Sequence, residues 1–225
     1  MHVARLGALL TIVMLVTVGC GRSVRGSAHP DPHAPGTTIS SDGFGIIAGD
    51  PKAEIQIELY TEPQCSHCAH LQGEFGPQMK RLINLGDLAI TYRPVTFFDL
   101  GGSTYSARVS NALFLAADRT SGPAFQAFVA QVWGHQQPLG PGPTDAELAA
   151  MARDSQVDGG AADRISTGTA AVNTAAMNDA NEVRLQRILR DNPATPVVFD
   201  LHRNTMVDTS DADWLTKLMS SKIAT

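Results

Sequence analysis

The apolar spacing of the chain changes period across one short segment, and Cys65-Ser66-His67-Cys68 stands where it changes. Before it, Ile55, Ile57 and Leu59 alternate with Gln56, Glu58 and Tyr60, which predicts a strand. After Pro63, Leu71, Phe75, Met79 and Leu82 recur every three or four residues, and Gly86 closes the run as a C-cap residue would. This pattern predicts a helix that begins at or near Cys65 and is kinked at Gly76-Pro77. Leu88, Ile90 and Tyr92 then alternate again up to Arg93-Pro94, completing a β-α-β unit with both cysteines at the helix start.

Order is expected from about Phe44, where FGIIAGDP supplies a short apolar segment and a turn. Between Gly101 and Arg190 the strand signal gives way to helical faces: Tyr105, Val109, Ala112 and Ala116, then Phe125, Phe128, Val129, Val132 and Trp133. Thr144 and Glu147 have the spacing of a capping box, and a further helix is expected across much of Ala171 to Leu189. Val197-Val198-Phe199, a turn at Arg203-Asn204, and Thr205 to Val207 read as a hairpin. Ser210 stands where it would cap a last helix carrying Trp214, Leu215, Leu218 and Met219. The expectation is an α/β chain whose parts are 43–100, a helical insertion at 101–191, and 192–225.

The N-terminal residues differ from the rest. His2 and Arg5 lead into a mostly apolar run from Leu6 to Val18, followed by Gly19-Cys20, which reads as a secretory signal over 1–20. The run is shorter than the roughly 20 apolar residues of a permanent membrane span. A small residue followed at once by cysteine resembles the bacterial lipobox, in which the cysteine is lipidated; Thr17 stands where that motif usually has a large aliphatic residue. The other reading is a plain cleaved signal with an incidental cysteine. Residues 21–42, rich in Pro, Gly, Ser and His, read as a flexible tether in which His29 and His33 are solvated. The composition, 43% hydrophobic and 17% charged over 225 residues with a net charge of -5, is that of a globular protein, and no long basic run marks a nucleic-acid surface.

With Cys20 assigned to lipid, Cys65 and Cys68 are the remaining cysteines. Two thiols three residues apart at a helix start lie one turn from each other and can close and open a small disulfide ring. Unpaired N–H groups and the positive end of the helix dipole favour a thiolate at Cys65, the expected nucleophile. Cys68, facing the core, is the expected resolving thiol. His67 lies between them, and its imidazole is expected to stabilise the Cys65 thiolate further, which would make the disulfide more oxidising. Cys65, His67, Cys68 and His70 could instead hold a soft metal ion, but a zinc ribbon needs a second cysteine pair and none is present, so no metal site is assigned. A purely structural disulfide is disfavoured, because closing so short a loop restricts the unfolded chain little.

Across about residues 43 to 224 the chain resembles the DsbA-like branch of the thioredoxin superfamily. The resemblance rests on GIIAGDPKAEIQIELYTEPQCSHC, on the Ala-Thr-Pro-Val-Val-Phe segment at 194–199, and on the helical stretch between them. It implies a thioredoxin fold with an inserted helical domain. It also implies a cis-proline at Pro196 facing the redox pair, with Thr195 presenting backbone groups to the substrate cysteine; Pro193 is not the matching position. Relatives carry a buried acid six residues before the first cysteine, where this chain has Leu59. Glu58 and Glu62 are the nearest substitutes, and Glu62 reads equally well as a solvated carboxylate.

The function expected on these grounds is disulfide exchange with exported proteins, as an oxidase, with no bound cofactor and with a membrane redox partner that restores the disulfide. A reductase or isomerase, or a metal-binding lipoprotein without turnover, are the alternatives. The chain would be anchored by lipid at the outer face of the cell membrane. The tether is too short to be a dimerisation domain, which points to a monomer.

Overall fold

Strand β3 (Ile55–Thr61) lies inside a six-stranded sheet, paired in parallel with β4 (Leu88–Pro94) on one side and antiparallel with β5 (Val197–Asp200) on the other. Leu59 stands opposite Tyr92 in β4 and Val198 in β5. The structure is a computed structural model and describes residues 33–137, 140–190 and 192–221. The expected signal at 1–20, Cys20, His29 and most of the expected tether lie outside the described residues.

The sheet continues outward through β2 (Ile46–Ala48) to β1 (Thr37–Ile39) at one edge and through β6 (Thr205–Val207) at the other, giving the order β1-β2-β4-β3-β5-β6. β1 begins within the segment expected to be a tether. It pairs with β2 from Thr37 opposite Ala48 to Ile39 opposite Ile46, and the Thr37 hydroxyl donates to the carbonyls of Ala117 and Thr120. Backbone pairing with an apolar neighbour strand holds a segment that has almost no apolar pattern of its own.

Helix α1 (Ser66–Asn84) follows Cys65 directly and buries Leu71, Phe75, Met79, Leu82 and Ile83. It runs unbroken through Pro77, whose missing N–H leaves the Gly73 carbonyl without its helical donor. Its end is a Schellman motif: Gly86, at φ +74°, donates to Ile83 O and Asp87 donates to Leu82 O.

The insertion comprises α2 (Tyr105–Ala116), α3 (Gly122–Gly134), α4 (Asp145–Asp154), α5 (Gly159–Ser166) and α6 (Thr174–Leu189). The expected capping box is formed at α4, with Glu147 N–H donating to Thr144 Oγ1 and Thr144 N–H to Glu147 Oε2. The last helix, α7 (Trp214–Ser220), starts after Asp213, not after a Ser210 cap; the Ser210 hydroxyl donates instead to Asp208. None of the helices among the described residues is long and apolar enough to cross a membrane.

Both faces of the sheet are covered. Ile55, Ile57 and Leu59 join one core with α1, α2, α3 and Trp214, while Tyr60 and Val197 pack with Leu185 of α6 on the other side. Covering the second face explains why Glu58 and Tyr60 are buried although the alternation marks them as polar positions. The Tyr60 hydroxyl donates to Glu58 at 2.5 Å, and Arg93 joins Glu58 to Asp42 at 2.8 and 2.7 Å. These pairs satisfy groups that would otherwise be costly to bury.

Candidate active site

The segment between β3 and α1 is a tight turn. Cys65 N–H donates to Glu62 O at 3.0 Å, with Pro63 at the position where its fixed φ suits a turn. Cys65 is then the N-cap residue of α1, in extended conformation, and its carbonyl accepts from Cys68 N–H at 3.1 Å and Ala69 N–H at 3.2 Å. Both cysteines are free thiols, Cys65 with 6% of its surface exposed and Cys68 with 1%.

The two thiols are driven apart in acidity. The hydrogen bond from the Cys68 thiol does most to bring Cys65 down to about 5; burial opposes this, while the Thr195 side chain and the backbone N–H groups of Cys68 and His67 assist it. Burial pushes Cys68 far up, and the adjoining Cys65 sulfur adds to that shift. The pair is therefore one thiolate held by one thiol that keeps its proton.

The downstream half of the fold closes over this pair. The Thr195-Pro196 peptide bond is cis, as the resemblance implied. The Cys65 thiol donates to the Thr195 carbonyl at 3.3 Å, and the Thr195 hydroxyl is buried without a geometric hydrogen-bond partner.

His67 is exposed on the rim of a cavity of about 430 Å³ lined also by His70, Phe75, Thr195, Pro196 and Ser210. The backbone N–H of residue 67 is among the groups that favour the Cys65 thiolate. His70 pairs with Glu74 at 3.2 Å along the exposed side of α1. No group of three or more His, Cys, Asp or Glu side chains among the described residues is arranged to hold a metal ion.

Glu62 is not a solvated carboxylate. It has no exposed surface; one oxygen accepts from the Ser106 hydroxyl and the other from Gln64 N–H at 2.5 Å. Burial is the main reason its carboxyl is pushed up to about 7, with the negative charges of Cys65 and Asp99 adding to the shift. Glu58, the other substitute, is taken up by Arg93 and Tyr60 on the α6 side of the sheet.

Two further residues were not visible from the sequence. Gln136 donates to Pro63 O at 2.7 Å and Cys65 O at 2.9 Å, and Gln64 donates to Asp99 at 3.1 Å and to Ser106 Oγ at 3.0 Å. Both contacts join the cysteine turn to the helical insertion, and no local spacing signals a pairing across 71 residues.

Comparison with protein families matches residues 41–199 to the family described as Thioredoxin. The chain is similar in structure to MdbA, a thiol-disulfide oxidoreductase from Corynebacterium matruchotii, at 22% identity and a TM-score of 0.68, over 81% of this chain and 92% of that one. MdbA from Corynebacterium diphtheriae gives 20% identity and 0.67, over 84% and 96%. Reduced DsbA from Mycobacterium tuberculosis gives 22% and 0.63, over 81% and 94%. No curated protein matches the sequence. At these identities the structural likeness establishes a shared fold, the DsbA-like thioredoxin fold with its helical insertion. Because the family match spans well over half of the 225 residues, the chain belongs to the thioredoxin family.

Proposed function

We propose that the chain is a thiol-disulfide oxidoreductase that forms disulfides in exported proteins. The observation that carries this reading is the split between the two thiols, Cys65 down to about 5 and Cys68 raised, beside the Thr195 carbonyl. In the oxidised protein a substrate thiolate attacks the Cys65 sulfur; the Cys65–Cys68 bond breaks and Cys68 leaves, taking a proton. A second substrate thiolate then attacks the substrate sulfur of the mixed disulfide and expels Cys65 as a thiolate. Two electrons pass from the substrate dithiol to the cysteine pair, and the substrate gains a disulfide.

A low-pKa leaving group accelerates the last step, and stabilising the reduced thiolate makes the disulfide a stronger oxidant by about 30 mV for each 1.4 kcal/mol. Glu62, uncharged below about pH 7, places no opposing charge beside the thiolate as it forms. The structural neighbours named as thiol-disulfide oxidoreductases support the same chemistry. A membrane oxidase would restore the disulfide, and lipid on Cys20 would keep a monomeric catalytic domain at the outer face of the membrane; metabolic labelling with a fatty acid, lost in Cys20→Ser, tests the anchor. His67, Thr195 and Pro196 border the place where the substrate cysteine would lie.

The test is oxidative refolding of a reduced, denatured disulfide protein by the oxidised chain. Stoichiometric disulfide transfer that vanishes in Cys65→Ala supports the oxidase. A chain that leaves the substrate thiols reduced, yet accepts electrons from a strong dithiol and cleaves substrate disulfides, would make it a reductase.

A further inference from the structure

The turn that carries Cys65 is gripped by the helical insertion from two sides. Gln136, just beyond the end of α3, uses one planar amide to donate to Pro63 O at 2.7 Å and Cys65 O at 2.9 Å. From the other side, Asp99 accepts from the Gln64 amide at 3.1 Å and from the N–H groups of Ser106 and Ala107 at the start of α2, at 2.9 and 2.8 Å. The peptide groups flanking residue 64 are thus fixed relative to one another by side chains distant in sequence.

We propose that Gln136 is a positioning residue for disulfide exchange: by holding the carbonyls of Pro63 and Cys65, it aims the Cys65 sulfur at Thr195 and at the first N–H groups of α1. This rests on the exchange reaction proposed above. The Cys65 carbonyl already accepts two N–H donors from the first turn of α1, so a third donor adds little to helix formation. What it adds is orientation, because rotating that peptide plane carries the sulfur away from the N–H groups of residues 67 and 68 that favour a thiolate. Gln136 is only partly buried, so water can replace it at the carbonyls with a small loss of stability. The insertion thereby controls the reactivity of a thiol that belongs to the β-α-β unit.

Two uncharged variants of similar size test this: Gln136→Met and Gln136→Leu each remove the donor without adding a charge beside Cys65. The readouts are the pH dependence of Cys65 thiolate absorbance, the rate of reaction with a small aromatic disulfide, and thermal unfolding. The expected result in both variants is a thiolate titration moved to higher pH and a reaction at pH 5 slowed by about threefold to tenfold, the size of one hydrogen bond, with little change in unfolding. An unchanged titration and rate, or a loss of folding in both, would overturn the proposal. If the unaltered chain fails to oxidise protein substrates, the oxidase reading falls, while the titration and the small-disulfide rate still decide the role of Gln136.

Discussion

The Cys65 thiol meets the Thr195 carbonyl at 3.3 Å across 130 residues of sequence. The same residue carries a buried hydroxyl with no hydrogen-bond partner of its own, and this side chain helps lower the pKa of Cys65. Thr195 thus offers an acceptor to the thiol and, through its hydroxyl, a donor to the thiolate.

Removing that hydroxyl without changing shape separates the two roles. Thr195→Val should keep the fold and the carbonyl contact while moving the Cys65 titration upward by about one unit, as expected for one hydrogen bond to a charged sulfur. Thiolate absorbance against pH checks this. An unshifted titration would assign the acidity to Cys68 and the backbone alone.

Glu62 gives a stability prediction with a definite sign. Its carboxyl ionises near 7 when folded and near 4.5 in a free chain. Stability from keeping it neutral is fully present below pH 4.5 and is lost as pH rises through 7, by on the order of 2 kcal/mol. Glu62→Gln keeps an acceptor for Gln64 N–H, and the Ser106 hydroxyl can rotate to accept from the new amide. Urea unfolding at pH 5 and pH 8 should show the parent losing more stability than the variant; equal losses would refute a buried, neutral Glu62.

Asp42 runs the other way. Burial pushes its carboxyl up, but the Ser40 hydroxyl, the Phe44 N–H and the Arg93 guanidinium outweigh burial and hold it at about 2. Stability from this site is present above the ordinary value of 3.8 and is lost as pH falls toward 2. Asp42→Asn should therefore cost about 1 kcal/mol at pH 7, allowing for solvent screening, and less at pH 3. Denaturation midpoints at the two pH values check it.

These sites differ in how far they could be read from sequence. Cys65, Cys68 and α1 were legible because the period change and a close cysteine pair are local signals, as were the Thr144–Glu147 box and the Gly86 helix end. Pro196 needed the resemblance, since nothing local separates it from Pro193. Glu62 misled, because its burial depends on Ser106 and the insertion, 44 residues away. β1 was hidden because Thr37–Ile39 is ordered by its neighbour and by the 117–120 carbonyls, not by its own pattern. The Ser210 cap failed for a local reason: Asp208, two residues earlier, captures its hydroxyl.

The central claim is that Cys65 forms the mixed disulfide with the cysteines of substrate proteins and that Cys68 is its partner, leaving as that bond forms and able to attack it in return. Cys68→Ala removes this internal route of release and leaves Cys65 to react. Mixing this variant with a reduced, unfolded substrate and an oxidant, then separating the products without reductant, should show a substrate adduct that reductant dissolves and that Cys65→Ala does not form. Absence of that adduct at pH 8, where the Cys65 thiolate is present, would contradict the account.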